Sequence, residues 1–153
     1  MRTIHQRPKT ACGVSMSTDT IQPHSAESEE AVLGSLMIDD PQWARVSPLL
    51  TPAMFYQRRH AQIYEAMQGV IAKGQALDQI TVAHEIDRRG LWDATGGGAY
   101  LSHLVSLIPT PLHAVYYAQI VKECWQRREL IQKGSQMVQD GVAPRRNQGV
   151  PLQ

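Results

Sequence analysis

The chain has 153 residues, a formal net charge of +1, 42% apolar residues and 19% charged residues. This composition is typical of one compact domain with a buried core, and it excludes a chain that is disordered throughout. No apolar run approaches the roughly 18 residues that a membrane span needs, and the N-terminus lacks the apolar centre of a secretory signal. We therefore expect a cytoplasmic protein that does not contact a membrane.

Charge is unevenly distributed along the chain. Residues 24–140 carry 10 basic and 13 acidic side chains. The basic side chains outside this range are nearly unopposed: Arg2, Arg7, Lys9, Arg145 and Arg146. Because nucleic acids are bound mainly through neutralisation of their phosphates, a DNA-binding protein usually has a dense basic face. This chain has no dense basic run, so we expect its contact with DNA to be weak or indirect.

Residues 1–22 show no apolar periodicity and predict a disordered leader. The first helix is predicted over residues 26–38, because Ser25 can cap it and the glutamates that follow lie where the helix dipole favours negative charge. Gly34 within this helix predicts the close approach of another backbone. The buried stripe is predicted to consist of Val32, Leu33, Leu36 and Met37.

Further helical segments are predicted before the glycine-rich part of the chain. A short helix is predicted to carry Trp43, Val46 and Leu50. A longer helix over residues 58–73 has apolar side chains at helical spacing and ends at Gly74. Asp78 and Thr81 are predicted to cap the next helix, which Gly90 terminates. The pattern up to this point is all-α.

The glycine cluster at residues 96–98 predicts a joint that is either flexible or has positive φ. A helix over residues 100–107 follows it, and Pro109 and Pro111 end that helix. A long helix over residues 113–139 comes next, so two helices joined by a short proline-containing turn are expected to form an antiparallel hairpin. The apolar stripe of the long helix is predicted to consist of Tyr117, Ile120, Val121, Cys124, Ile131 and Val138.

The predicted hairpin has more apolar surface than the small head before it can cover. Exposed apolar surface of this kind usually marks the binding site of a partner. Self-association around a two-fold axis is the first expectation, because a hairpin can pack on its own copy as a four-helix arrangement. The alternative is that the hairpin folds back completely onto its own head.

No constellation of residues predicts catalysis, metal binding or a cofactor. The six histidines show no HxH or HxxxH pair and have no cysteine close in sequence: His5, His24, His60, His84, His103 and His113. Cys12 and Cys124 are expected to be free thiols. The chain contains neither a GxxxxGK[ST] phosphate loop nor a GxSxG nucleophile motif. We therefore expect no enzyme activity and no ATP hydrolysis from this chain.

The order of five sequence blocks reveals a family resemblance. The blocks read PHSAESEEAVLGSLMID, FYQRRHAQIYEAM, LDQITVAHEI, GGGAYLSHL and YYAQIVKECWQRRELI. In this order and at this spacing they resemble the N-terminal domain of DnaB-type replicative DNA helicases, over residues 23–131. The residues that carry the resemblance are Pro23, Ala31, Leu33, Gly34, Phe55, Tyr56, His60, Ile63, Asp78, Thr81, Gly97, Gly98, Tyr100, Leu101, Leu104, Pro111, Tyr117, Ala118, Val121 and Arg128.

The resemblance implies a small helical head over residues 23–95 and a helical hairpin over residues 99–139, between a leader over residues 1–22 and a flexible tail over residues 140–153. In the family the hairpins pair into dimers, three dimers form a collar on the hexameric motor, and the collar receives primase. The resemblance therefore implies that this chain is a non-catalytic scaffold of the primosome, which binds itself, primase and helicase motor domains in DNA replication. The residues implied at the self-association or partner surface are Tyr100, Leu101, Leu104, Leu107, Tyr117, Ile120, Val121, Cys124, Arg128 and Ile131.

Two other interpretations remain open. Residues 80–98 superficially resemble the recognition helix and wing of a winged-helix regulator, with Arg88 and Arg89 available for phosphate. A dimeric DNA-binding regulator should bind duplex DNA with a steep salt dependence, whereas a scaffold should not. Because no motor follows the helical region, the chain could also be a fragment of a helicase or a stand-alone mobile-element protein that modulates a host helicase.

Overall fold

The structure, a computed structural model, describes residues 21–144. The regular elements of this part of the chain are all helical, which confirms the predicted all-α class. Most of the predicted leader and tail, together with Cys12, lie outside the described residues. The α-helices are α1 (Ala26–Ile38), α2 (Trp43–Val46), α3 (Arg58–Ala72), α4 (Gln79–Arg88), α5 (Trp92–Thr95), α6 (Gly97–Ser106) and α7 (Ala114–Val142). Short 3₁₀ helices occupy Asp40–Gln42, Pro52–Met54 and Pro111–His113.

Helix α1 is the centre of the fold. It begins as predicted at Ser25, whose hydroxyl accepts a hydrogen bond from the Ser28 amide at 3.3 Å. Helices α3, α6 and α7 all pack against it, so it is buried on more than one side. The predicted stripe is buried, and so are Ala31, Gly34 and Ser35 on its other faces. A helix enclosed in this way holds the remaining elements around a single core.

Gly34 is the point where α6 crosses α1. A Cβ atom on this residue would overlap the carbonyl oxygen of Leu104 and would lie 2.7 Å from Cγ1 of Ile108. Real Cβ atoms do not approach other atoms so closely, and the obstructing group at Leu104 is backbone. The predicted close approach of a second backbone at Gly34 is therefore confirmed.

The ends of α3 and α4 follow the predicted signals. Gly74 and Gly90 both adopt a φ of 69°, the left-handed conformation that ends a helix. At the start of α4, a carboxylate oxygen of Asp78 accepts hydrogen bonds from the amides of Ile80 and Thr81, each at 2.8 Å. The Thr81 hydroxyl accepts in return from the Asp78 amide at 3.0 Å. This reciprocal capping box fixes the first turn of α4.

Tyr64 of α3 lies at the centre of the head. It is completely buried between the rings of Trp43 and Phe55, whose centroids are 5.2 and 5.0 Å away. Its hydroxyl donates to the carbonyl of Leu50 at 3.3 Å. Burial raises the pKa of Tyr64 to about 12. The aromatic cluster therefore fixes α2 and the 52–56 turn on α3.

The last two helices differ from the predicted antiparallel hairpin. The chain direction changes by 95° between the segments Trp92–Ser106 and Pro111–Val142. Helix α6 packs on α1, α4 and α5, whereas α7 packs on α1 and α2. The physical reason is that the apolar face of α6, with Leu101 and Leu104 fully buried, is needed to close the core of the head. The second helix of the predicted hairpin corresponds to α7. It continues to Val142 rather than ending at residue 139.

The region that resembled a winged helix contains no wing. Residues 80–98 form α4, α5 and the start of α6, with Gly96 at φ 88° and Gly97 at φ 60° in the joint between the last two. The predicted positive-φ joint is confirmed. A winged helix requires a β-hairpin at this place, so the structure removes the basis of the regulator interpretation.

Within residues 21–144, no single helix is long and apolar enough to cross a membrane. The bent pair Trp92–Ser106 and Pro111–Val142 meets that criterion only when its two members are taken together.

Candidate interaction surface

The first half of α7 is anchored to the head. Ala114, Ala118 and Val121 recur at spacings of four and three residues, face α1, and are buried. The guanidinium group of Arg128 donates to the carbonyl oxygens of Pro23 and Met54, each at 2.7 Å. Two charge-assisted bonds to backbone carbonyls make Arg128 a clamp between α7 and the head.

Beyond Arg128 the helix has no buried residue up to the end of the described chain. About 14 residues remain, so this second half of α7 is roughly 21 Å long. Its apolar side chains are largely in solvent, with Val138 56% and Val142 79% exposed. An apolar helix surface of this length that no described residue covers is a candidate contact site.

The exposed apolar residues continue a row that begins on the anchored half. At spacings of three, four and seven residues they lie along one flank of the helix. We name this row the α7 stripe: Tyr117, Ile120, Cys124, Ile131, Val138 and Val142. Its first three members are partly buried and its last three are exposed.

Two grooves border α7. One, of about 500 Å³, runs between the helix and the 53–56 turn, and Tyr56, Trp125 and Ile131 contribute to its walls. The other, of about 410 Å³, lies between the start of α1 and the turn before α7, where Leu107 and Tyr117 line it. Both grooves are bounded by the head on one side and by α7 or its preceding turn on the other. A partner that contacts the α7 stripe can therefore also contact the head.

The structure divides the ten residues predicted at the interaction surface. Leu101, Leu104 and Val121 are at most 1% exposed, so their assignment to a surface was wrong. Their apolar side chains close the core between α1 and its neighbours, and sequence periodicity does not distinguish a core face from an interface. Five of the ten remain at least partly exposed around α7 or the turn before it: Leu107, Tyr117, Ile120, Cys124 and Ile131. The other two, Tyr100 and Arg128, are engaged in polar contacts within the chain.

Tyr100 belongs to a network that the sequence did not predict. Nδ1 of the fully buried His60 lies 2.6 Å from the carboxylate of Glu29, which also accepts the amide hydrogens of Tyr56 and Gln57. The Tyr100 hydroxyl lies 2.7 Å from Nε2 of His60 and 2.9 Å from the carboxylate of Glu30. The network joins α1, α3 and α6 through side chains that are 31 to 70 residues apart in sequence.

The protons of this network can be placed by counting donors. The Glu29 carboxylate only accepts, so Nδ1 of His60 must carry a proton. Tyr100 has one hydroxyl proton, and donating it to Glu30 leaves its oxygen to accept from Nε2 of His60. Burial, followed by the bond to Glu30, raises the pKa of Tyr100 well above its usual value.

A second ionic cluster joins α3 to α4. The buried carboxylate of Glu85 pairs with Lys73, with Arg88 at 2.7 Å and with Arg89 at 2.8 Å. Hydrogen bonds from Arg88 and Lys73 hold the pKa of Glu85 well below its usual range. The cluster lies on the head, away from α7, and its geometry supports the packing of α4 on α3.

The candidate site of this chain is a contact surface around α7. Within residues 21–144, no three side chains of the metal-ligating types converge on one point. His60 has both ring nitrogens occupied by structural partners. The α7 stripe and the two grooves beside it are the candidate contact surface of this part of the chain.

Comparison with known proteins identifies the family. The sequence profile of the DnaB-like helicase N-terminal domain matches residues 21–123, which is more than half of the chain. The chain belongs to the DnaB-like helicase N-terminal domain family. The resemblance inferred from the five sequence blocks is therefore confirmed.

Individual relatives agree with this assignment. Replicative DNA helicase DnaB of Mycobacterium leprae (strain TN) is 38% identical over 121 residues, which are 79% of this chain and 20% of that protein. DnaB of Geobacillus stearothermophilus is 36% identical over 124 residues, 81% of this chain and 27% of that protein. Replicative DNA helicase DnaC of Bacillus subtilis (strain 168) is 34% identical over 123 residues, with similar coverage. The chain thus spans 20–27% of the length of these relatives.

Solved structures show the same fold. The N-terminal domain of DnaB helicase from Mycobacterium tuberculosis superimposes with a TM-score of 0.78 at 38% identity, over 81% of this chain and 90% of that one. A DnaB-like replicative helicase, described with its interactions with primase, superimposes with a TM-score of 0.68 at 28% identity. That match covers 78% of this chain and 29% of the helicase chain. The described part of this protein therefore has the fold of the N-terminal domain of these helicases.

Proposed function

We propose that this chain is a non-catalytic scaffold of a replicative helicase, which self-associates through the α7 stripe and binds primase or other replication proteins. The observation that carries the proposal is the second half of α7, where Ile131, Val138 and Val142 extend the stripe and remain exposed. We expect dimers first and, in the presence of motor domains, a collar of three dimers. The expected location is the cytoplasm.

Self-association is supported by the form of the exposed surface. A helix with apolar residues at three- and four-residue intervals packs well against a second helix of the same kind. The stripe is self-complementary, so a two-fold axis would place it against its own copy. The clamp at Arg128 fixes the direction in which the second half of α7, here called its free half, leaves the head. Because this direction is fixed before binding, less conformational entropy is lost on association.

Primase is the first partner to consider. One structural relative is described with its interactions with primase, and its match covers 78% of this chain. The groove beside Leu107 and Tyr117 offers apolar walls and the carboxylates of Glu27 and Glu30. These features suit a protein partner better than a nucleic acid, because phosphates would be repelled by the two carboxylates. Contact with DNA is therefore proposed to be weak or indirect.

The test of self-association compares two double variants of α7. Ile131→Asp with Val138→Asp places two charges on the exposed part of the stripe. Gln119→Asp with Gln126→Asp adds the same charge at the same seven-residue spacing, but on exposed positions of another flank. Light scattering after size exclusion, over an about hundredfold range of concentration, is expected to show a dimer for the wild type and the control. The stripe variant is expected to dissociate at least about tenfold more readily.

Circular dichroism establishes that both variants keep the helical fold. A wild type that stays monomeric at every concentration would exclude self-association of this chain alone. Equal weakening in both variants would exclude the stripe as the contact surface. Primase binding is then measured by adding primase to the wild type, and the absence of a complex would limit the proposed scaffold to self-association.

A further inference from the structure

A third groove lies on the head, away from α7. It has a volume of about 620 Å³ and runs between α4 and α5, which pack against α3 and α6. Two apolar side chains in its wall are unusually exposed, Ile80 at 69% and Trp92 at 42%. Single exposed apolar residues are ordinary on a protein surface, but two that share one groove mark a candidate contact site.

Sequence spacing places the α4 side of this groove on one face of the helix. Ile80, Ala83, His84 and Asp87 are separated by three, four and seven residues, so their side chains lie side by side. All four line the groove. The face that they form is accessible to solvent, whereas Val82 and Ile86 on the other side of α4 are buried in the core.

Trp92 forms a fixed wall of the groove. Its indole lies against the backbone of the glycine joint, since a Cβ atom on Gly97 would be 2.7 Å from Nε1 and 2.8 Å from Cε2 of the indole. A Cβ atom on Gly98 would also touch the ring, at 3.4 Å. Glycine at these positions therefore allows the ring to rest directly on the main chain. An aromatic ring that is held in place before binding loses little conformational entropy when a ligand packs on it.

The titratable side chains in the wall of this groove are His84 and two aspartates. Asp87 and Asp93 are exposed in its wall, and neither forms an ion pair within the described residues. The cations of the neighbouring helix ends, Lys73, Arg88 and Arg89, are held by Glu85 and do not line the groove. An apolar floor between two unpaired carboxylates is complementary to an apolar side chain flanked by basic residues.

We propose that the groove between α4 and α5 binds a basic segment of a partner protein, with an aliphatic or aromatic side chain packed between Ile80 and Trp92 and with Lys or Arg side chains paired to Asp87 and Asp93. This site is separate from the α7 stripe, so its occupation does not depend on the proposed scaffold function. An arginine of the segment can also stack on the Trp92 ring.

The test uses three synthetic peptides with capped ends and the full chain labelled with ¹⁵N. The first peptide has a central leucine with two arginines on each side, the second replaces the arginines by glutamates, and the third replaces the leucine by serine. Nuclear magnetic resonance follows the indole N–H signals of Trp92, Trp43 and Trp125. The first peptide is expected to shift the Trp92 signal saturably, with a Kd on the order of 100 µM, and to leave the other two unchanged.

The glutamate peptide is expected to show no saturable binding, and the serine peptide to bind at least about fivefold more weakly. The variant Asp87→Lys with Asp93→Lys should no longer bind the arginine peptide and should bind the glutamate peptide instead. Glu123→Lys with Asp140→Lys changes the net charge equally on exposed positions of α7 and should keep the wild-type preference. This control separates a local site from general attraction to the protein.

Several results would overturn the proposal. They are equal binding of the arginine and glutamate peptides, shifts spread over all three indoles, and an arginine peptide that binds the groove variant and the α7 control alike. A Trp92 signal that moves with protein concentration alone would show that a second copy of the chain fills the groove. Because the light-scattering experiment changes only α7, failure of either proposal is recognised independently of the other.

Discussion

The two halves of α7 both carry apolar residues at helical spacing, but their surroundings are very different. In the first half Ala114, Ala118 and Val121 are buried against α1, whereas in the second half Val138 and Val142 are more than half exposed. The helix itself continues without interruption, so the difference comes from what lies opposite each half. The contrast shows that apolar periodicity specifies a helix with an apolar flank, and that the neighbouring elements determine whether the flank belongs to a core or to an interface.

The head and the free half of α7 should therefore respond differently to the same substitution. Leu104→Ala removes a fully buried side chain between α1 and α6, and we expect it to lower the free energy of unfolding by about 2–5 kcal/mol. Leu130→Ala removes a side chain that is 69% exposed, and we expect a change within about 0.5 kcal/mol. Urea denaturation of the two variants measures both values. Similar losses would mean that Leu130, which is not part of the α7 stripe, is covered in solution.

Glycine offers a second comparison with a smaller expected effect. Gly34→Ala drives a methyl group against the backbone of Leu104, and we expect a loss of about 1–3 kcal/mol. Gly134→Ala lies in the free half of α7, where no atom is within 4 Å of the added Cβ, and alanine favours the helix by up to about 1 kcal/mol. Thermal unfolding should therefore shift in opposite directions for the two variants. A destabilised Gly134→Ala protein would place another surface against that half of α7.

The third comparison concerns carboxylates and pH. Glu85 is buried among three cations on the head, whereas Glu123 of α7 is exposed and has no ion pair within the described residues. Glu85→Gln is expected to cost about 1–2 kcal/mol at neutral pH, and Glu123→Gln to have little effect. Urea titrations of both variants and the wild type measure the difference.

The sign of the pH dependence follows from the lowered pKa of Glu85. Its contribution to stability is fully present above the ordinary value of 4.5, where the unfolded chain is also ionised, and it is lost as pH falls below that value toward the folded pKa. The difference in the free energy of unfolding between wild type and Glu85→Gln should therefore be constant above pH 4.5 and shrink at lower pH. A difference that stays constant below pH 4.5 would show that the ion pairs of Glu85 do not account for the lower stability of the variant.

Much of the helical pattern was predicted from local signals. The start of α1 at Ser25, the capping box at Asp78 and the left-handed glycines at residues 74 and 90 are all short-range features, so the sequence contained them in full. The close approach at Gly34 was also predicted, because glycine destabilises the interior of an apolar helix and is favoured there mainly where a second backbone passes close by. The prediction of the hairpin was wrong in its geometry, since two helices and a proline turn are compatible with many crossing angles.

The network around His60 could not be predicted from local sequence signals. Glu29 and Glu30 were assigned to the helix dipole alone, yet one carboxylate holds His60 and the other accepts from Tyr100. The partners are separated by 31 and 70 residues, and no spacing rule connects residues so far apart. The three predicted surface residues that proved to be core, Leu101, Leu104 and Val121, were misassigned for the same reason.

The amino-acid sequence was sufficient for the all-α class, for most helix boundaries and for the family, because caps, glycines and apolar periodicity act over a few residues and the family blocks follow one another in order. The 95° bend before α7, the division of that helix into anchored and free halves, and the groove beside Trp92 all required the folded chain. Each depends on which surfaces meet across long sequence separations, and that is set by the packing of the whole core rather than by any single segment.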